Sequence, residues 1–459
     1  MLLLLLLVGY GVVFTLAMRS GDANTFSALV IGPVLLLATI PIAYRVARTA
    51  GDPALALIIT AGLVVKFAGS VIRYVVLQQV YEIGDANRYH NVGSVLSEKF
   101  ADGDYDFGSG QIVGTKFIGI VTGFMYMLTG PTKLGGFFVF AWLAFMGQLC
   151  FYLAFRTAVP TGDHRRYALL VFFLPSIVFW PASIGKDAWM AMSLGIGAFG
   201  AARVLRGRPG GLVLTGTGAL AATMVRPHVA VLLVASFLVA LLVQRRRAGA
   251  RSAFATVVSI GAILLGGAFL AGYANDFLLE KLGTTNLTDA LEVNELRTAS
   301  GGSRFTPTAG SITGFPMSVV TVLFRPFPFE AHNTEALAAS LEGLLMLGLV
   351  AFSVRRIAAA VRLVRRVPYV AMAVAYFSVF AFTFSSHANF GLLARQRVQA
   401  LPFFLVLLAM RARRKRPDGS FEPPPALDEE RPRGDDRVRV AVYVVAAAMA
   451  AGAAALSFI

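Results

Sequence analysis

Residues 54–80 read ALALIITAGLVVKFAGSVIRYVVLQQV, and residues 81–90, which follow directly, read YEIGDANRYH. The first stretch exceeds the roughly 20 apolar residues that a helix needs to cross a bilayer. The second sets Asp85, Asn87, Arg88, Tyr89 and His90 against its end. Within hydrocarbon only a helix or a closed barrel satisfies its own backbone, so this junction marks where the chain leaves the lipid. An acid, a cation and an imidazole at that edge suit a reaction centre for a lipid-linked substrate.

The rest of the chain agrees with a membrane setting. Hydrophobic residues make up 57% of it and charged residues 14%, with a mean hydropathy of +0.70. Soluble domains carry about 25% charged residues. Apolar runs recur along the whole length, so the expected fold is all-α: a polytopic transmembrane helix bundle. The single cysteine, Cys150, lies inside an apolar run, which excludes an intrachain disulfide and argues against a cysteine metal site. Residues 1–18 lack a basic leader and read as a retained helix rather than a signal peptide.

The net charge of +16 points to topology, not to nucleic acid. Basic residues fall in short links between apolar runs: Arg45 and Arg48; Arg156, Arg165 and Arg166; Arg203, Arg206 and Arg208; residues 245–247; Arg355, Arg356, Arg362, Arg365 and Arg366; and residues 411–416. That is the positive-inside pattern, aided by anionic headgroups. About 13 spans are expected, near 2–18, 26–44, 54–80, 134–155, 167–181, 187–205, 211–224, 227–244, 252–272, 334–354, 368–386, 398–410 and 438–458. Counting 111–130 as a span would put Arg156, Arg165 and Arg166 outside, so it reads as a re-entrant or amphipathic outer segment. The N-terminus is then cytoplasmic. The linker 411–437, rich in Pro, Arg, Asp and Glu, reads as a disordered connector before a last span in 438–459.

With that orientation the outer face gathers the loop 81–133, the turn 181–187, the Arg226-Pro-His228 turn, the long loop 273–333 and the turn 386–397. Four of the five histidines (His90, His228, His332 and His387) lie there, but their spacing fits no zinc motif. Asp102, Asp104 and Asp106 read as solvated loop acids. Asp85 stands apart, because a carboxylate at the membrane edge can take a proton from a hydroxyl. Lys186 and Asp187 sit at the mouth of the bundle, where ionisable groups are expensive; a cap or mutual ion pair competes with a site role. Arg226 breaks one apolar stretch, 211–243, as either a phosphate ligand or a plain hairpin turn. Arg395 and Arg397 run against the charge rule, which favours an anionic ligand. Arg325, Glu330 and His332 lie among aromatics at 324–333.

The order of features from 54 to 272 resembles the GT-C superfamily of polyprenyl-phosphate-sugar glycosyltransferases, in its protein mannosyltransferase and aminoarabinose transferase branch. The matching features are Asp85-Ala-Asn-Arg-Tyr89 after the first helix, the segment from Gly114-Thr-Lys-Phe-Ile to Leu128-Thr-Gly-Pro-Thr132, Tyr152-Leu-Ala-Phe-Arg156 at a basic link, and Pro175 followed by Asp187. The resemblance covers about half the chain. It implies a GT-C-like module over 54–272, preceded by two extra spans in 1–53 and followed by the outer loop 273–333 and C-terminal spans in 334–410. Asp85 matches the family's catalytic acid by position and Asp187 its second acidic position. The adjacent pair of acids is absent here, since Ala86 follows Asp85.

The expected function is an inverting glycosyltransferase on the outer face of a bacterial plasma membrane. A polyprenyl-phosphate-linked donor would pass its sugar to a hydroxyl of a cell-envelope glycan, lipid or protein. Asp85 and Asp187 are the expected catalytic residues. Arg88, Tyr89, His90, Lys186, Arg226, His228, Arg325, Arg395 and Arg397 are expected to bind substrate. A divalent cation, Mg or Mn, bridging Asp85 and Asp187 is optional. Two alternatives stay open. A polymerase or ligase of the O-antigen type would lean on Arg325, His332, Arg395 and Arg397. A flippase or transporter would use the broken helix and the mid-bundle charges Lys66 and Arg73.

Overall fold

A computed structural model describes residues 2–79, 84–245, 313–332 and 334–411, with several residues between 260 and 276. The expected spans 252–272 and 438–458, the linker 411–437 and most of the loop 273–333 lie wholly or largely outside the described residues. The described part is helical, with no β-strand. It runs α1 (Leu2–Ser20), α2 (Ala23–Ala50), α3 (Ala54–Gln79), α4 (Asp85–Ala101), α5 (Thr115–Thr129), α6 (Lys133–Ala158), α7 (His164–Phe173), α8 (Pro175–Phe179), α9 (Lys186–Leu205), α10 (Gly211–Thr223) and α11 (Pro227–Arg245). After the undescribed segment come α12 (Phe315–Phe324), a single 3-10 turn at Pro328–Glu330, α13 (Thr334–Ala351), α14 (Val354–Leu363), α15 (Pro368–Phe384), α16 (Phe390–Arg397) and α17 (Leu401–Leu408).

This is a multi-pass membrane protein. Among the described residues five helices are long and apolar enough to cross a bilayer, or up to seven if each of two bent pairs forms one span. The expected count of 13 spans is not confirmed: two of them lie wholly or largely outside the described residues, and others are broken or short. The expected span 167–181 is two helices, because Pro175 has no N–H to continue α7 and its ring restrains Leu174 to an extended conformation. The expected span 398–410 contains only the eight residues of α17, bent by 63° against α16. The expected span 211–224 is α10, whose 13 residues reach only about 20 Å.

The stretch 84–133 is also more ordered than a loop. Its residues 85–101 form α4, packed against α5. The inward residues of α4 are Ala86, Tyr89, Gly93, Ser97 and Phe100, spaced three or four apart as a helix face demands. Asp85 lies in the first turn, where a negative charge meets the positive end of the helix dipole. At 15 residues, α5 is too short to span, as expected for 111–130.

The core is the close approach of α6, α9 and α10. A Cβ added at Gly147 would lie 2.2 Å from the Ala191 carbonyl oxygen, and one at Gly218 would lie 2.4 Å from the Gly197 nitrogen. Membrane helices lack a hydrophobic drive toward one another, so such small-residue contacts carry their association.

Polar side chains of α3 hold the broken segment in place. Lys66, Ser70 and Arg73 lie on one face of that helix. Lys66 Nζ donates to the Ile177 carbonyl (2.7 Å), Ser70 Oγ to the Ala182 carbonyl (2.8 Å) and Arg73 Nε to Ser183 Oγ (3.0 Å). The Arg73 guanidinium also stacks over Phe179 and Trp180, 5.0 and 4.9 Å from their ring centres. Gln148 reaches the same Ile177 carbonyl at 3.2 Å. The Ile177 carbonyl, to which Pro181 four residues on has no N–H to donate, and the Ala182 carbonyl are thereby satisfied, as the apolar interior requires. Lys66 and Arg73 thus serve the packing of 176–183.

Two glycines of α10 give opposite expectations. Gly218→Ala forces α10 away from α9 and should lower stability by about 1–3 kcal/mol. At Gly216 a Cβ meets nothing within 4 Å, so Gly216→Ala should leave stability unchanged or raise it by up to about 1 kcal/mol. Thermal unfolding of the purified variants in detergent measures both, and equal effects would contradict this packing.

Candidate active site

Four ionisable side chains from four distant parts of the chain meet at one end of the bundle. Asp187 is the second residue of α9. Arg226 Nη2 donates to its Oδ1 at 2.9 Å, and Arg395 Nε donates to its Oδ2. The other end of the same Arg395 guanidinium reaches Asp85, with Nη1 and Nη2 each 3.3 Å from Oδ2. Arg395 thus spans the two carboxylates that sequence reasoning had singled out.

The two acids differ in kind. The Asp187 side chain is 8% exposed and its partner in Arg226 10%, whereas that of Asp85 is 59% exposed. Asp187 is enclosed by two guanidiniums, one on each carboxylate oxygen. Asp85 is accessible, and its contacts with Arg395 lie at the long end of hydrogen-bond range. Arg226 keeps one buried nitrogen, Nη1, with no hydrogen-bond partner.

Local structure explains the convergence. The Pro-His pair after Arg226 opens α11, so Arg226 sits at the joint between α10 and α11. The Met224 carbonyl beside it accepts the Gly114 N–H at 2.7 Å. Gly114 takes a left-handed φ of 61°, which glycine adopts without strain, and so ties the start of α5 to this joint. A Cβ there would come 3.8 Å from Lys186 Nζ. Asn389 caps α16 by accepting the Leu392 N–H at 3.1 Å, which orients the helix carrying Arg395.

The other expected residues divide. Tyr89 is buried and packs against Gly185, just before Lys186. Burial, with the nearby Asp85 charge, pushes its phenol up to about 12, so it is a neutral group. Arg88 is exposed. His90 points away from the acids: its Nδ1 lies 2.7 Å from Tyr126 Oη, and burial lowers its pKa. The His228 ring is tilted by 37° to that of Phe384, 6.0 Å away, and Phe384 stacks on His387 at 5.1 Å. Burial brings the His387 pKa down to about 4.

Arg325 and Arg397 do not join the cluster. Arg325 forms a bidentate pair with Glu330, with Nη2 2.5 Å from Oε1. Arg397 is 1% exposed and donates through Nη2 to Glu342 Oε2 at 3.0 Å. Glu342 also accepts the Ser176 N–H at 3.0 Å and the Ser176 hydroxyl. Each of these two arginines is engaged by its own glutamate. Both Arg395 and Arg397 lie on α16, where a step of two residues turns a side chain roughly 200° round the helix axis, so Arg397 enters the bundle while Arg395 stays at its mouth. Sequence reasoning passed over Glu342, although a lone acid within an apolar run was a visible signal.

A bridging divalent cation does not fit this arrangement. Arg395 stands between the two carboxylates, and among the described residues no group of three His, Cys, Asp or Glu side chains could hold a metal.

No protein-family model matches the chain, and no curated protein matches it in sequence. A solved structure that is similar is that of ArnT from Cupriavidus metallidurans bound to undecaprenyl phosphate. It shares 17% identity at a TM-score of 0.46, over 86% of this chain and 63% of that one. The chain therefore spans less than two thirds of the length of that protein. The likeness is too remote to transfer a substrate or a residue's role.

Arg397→Met should destabilise the protein by about 3–5 kcal/mol, because it strands the buried Glu342 charge. Adding Glu342→Leu should recover much of that loss. Thermal unfolding of the single and double variants tests this; additive losses would show that the pair is not coupled.

Proposed function

We propose that the acid–arginine cluster is the active site of a membrane glycosyltransferase that uses a polyprenyl-phosphate-linked sugar. The observation that supports it is Arg395 spanning an exposed carboxylate and a buried one. The same end of the bundle thus offers a base and fixed positive charge, side by side at a lipid edge. Asp85 takes the proton of an acceptor hydroxyl as its oxygen attacks the anomeric carbon. The bond from that carbon to the phosphate oxygen breaks, and the lipid phosphate leaves with the electron pair. A single displacement of this kind inverts the anomeric centre.

Charge grows on the phosphate as the bond breaks, and preorganised cations stabilise it most where water is scarce. Arg395 and the unpartnered Nη1 of Arg226 suit that task, and Asp187 holds both in place. A donor phosphate that draws the Arg395 Nη atoms toward itself also releases Asp85 to act as base. The acceptor is a hydroxyl of the cell envelope, and the setting is the outer face of a bacterial plasma membrane. The polymerase alternative has less support, since Arg325 and Arg397 are engaged by glutamates.

Purified protein in detergent, offered a panel of undecaprenyl-phosphoryl sugars and hydroxyl acceptors, should release undecaprenyl phosphate. Such release, with no compartments present, is incompatible with transport alone. Asp85→Asn should slow it by about 10²–10⁴-fold while undecaprenyl phosphate binding and thermal stability persist. Arg395→Ala should weaken that binding. A fully active Asp85→Asn protein would overturn the assignment of the base.

A further inference from the structure

The far end of the bundle carries a helix that the transfer chemistry does not use. α6 starts beside the site: a Cβ at Gly136 would touch Ile184 and Tyr126. Its 26 residues then run about 39 Å to the link 159–163. There Asp163 donates its N–H to the Ala409 carbonyl at 2.8 Å and pairs with Arg356 Nη1 at 3.0 Å. Arg356 Nη1 also donates to the Met410 carbonyl at 3.1 Å. α14, which begins two residues before Arg356, therefore sits at the end opposite Asp85 and Asp187.

α14 is bent by 68° from α13. If α13 stands along the membrane normal, α14 lies close to the membrane plane. Its inner face is Ala359 and Ala360, both buried, with Arg356 as the anchor. Its outer face holds two parallel strips. Val354, Ala358 and Val361, at i, i+4 and i+7, form an exposed apolar strip, and Arg355 and Arg362, at i and i+7, form an exposed basic strip beside it. Val354 is 59% and Val361 61% exposed, while Phe352, in the bend, is 91% exposed. Arg365 extends the basic strip past the helix end and is also exposed.

An apolar strip flanked by arginines on an in-plane helix is complementary to one surface, that of an anionic bilayer. Acyl chains receive the apolar residues and headgroup phosphates receive the guanidiniums. We infer that α14, with Phe352 and Arg365, is a docking face for anionic phospholipid headgroups in the leaflet opposite the acid–arginine site. The basic run 355–366 is then a lipid-binding element in addition to a topology signal. This inference stands apart from the transfer reading.

The test uses the full-length protein in detergent micelles, titrated with dioleoylphosphatidylglycerol or dioleoylphosphatidylcholine, with retained lipid counted by native mass spectrometry. Wild type should prefer the phosphatidylglycerol. Each arginine removed should weaken that preference by about fivefold, and the combined Arg355→Gln, Arg362→Gln and Arg365→Gln variant by on the order of a hundredfold. The matching triple Lys variant, which keeps the charge, should retain most of it and controls for folding. An unchanged preference in the triple Gln variant overturns the proposal. So does a loss of self-association in that variant with lipid preference intact, which would assign the face to a second copy of the chain.

Discussion

The double ion pair of Asp187 with Arg226 and Arg395 sets the geometry of the polar end of this bundle. A carboxylate sunk among apolar helices is costly unless it is paired and hydrogen-bonded. Asp187 meets that requirement with one guanidinium on each oxygen. Satisfying one acid thereby brings α9, the α10–α11 joint and α16 to a common point. Arg395 has donors left over, and these face the exposed Asp85. A structural demand of the interior and a chemical capacity at its mouth are met by the same side chain.

The same logic recurs deeper in the molecule. Pro181 has no N–H for the Ile177 carbonyl four residues before it, and Lys66 and Gln148 meet there instead. Glu342 binds the amide at the start of α8 and is balanced by Arg397. Each polar group lodged in the bundle answers another created by a broken or bent helix. These groups explain why so many ionisable residues persist in an apolar interior without all being part of the chemistry. The charges that remain for function are those at the mouth, where one side of the cluster is open.

Much of this was legible before any coordinates. The apolar runs and the side preference of arginine announced a multi-pass helical protein, and the grouping of outer turns put Asp85, Asp187, Arg226 and Arg395 on one face. Roles were less legible. Arg395 and Arg397 are two residues apart and looked equivalent, yet they point to different partners because positions i and i+2 of one helix face nearly opposite sides. Helix α4 was hidden because its inward face is built partly of Ala, Gly and Ser, which carry little hydrophobic signal. Asp85, read as the base, and Asp187, read as a second acidic position, differ in burial in a way the sequence does not display.

The sequence by itself determined the class of the protein, since hydrophobicity and charge placement act through the solvent and need no partner to be read. It did not decide where helices break: Pro175 ends α7, whereas Pro33 and Pro41 lie inside the unbroken α2. Only the tertiary structure decided which arginine neutralises which acid. Ion pairing depends on distances of a few ångströms between residues up to 310 positions apart, and nothing local in the chain encodes them. It decided, too, that Asp85 faces outward while Asp187 is closed in, because accessibility is a property of the packed neighbours and not of the residue.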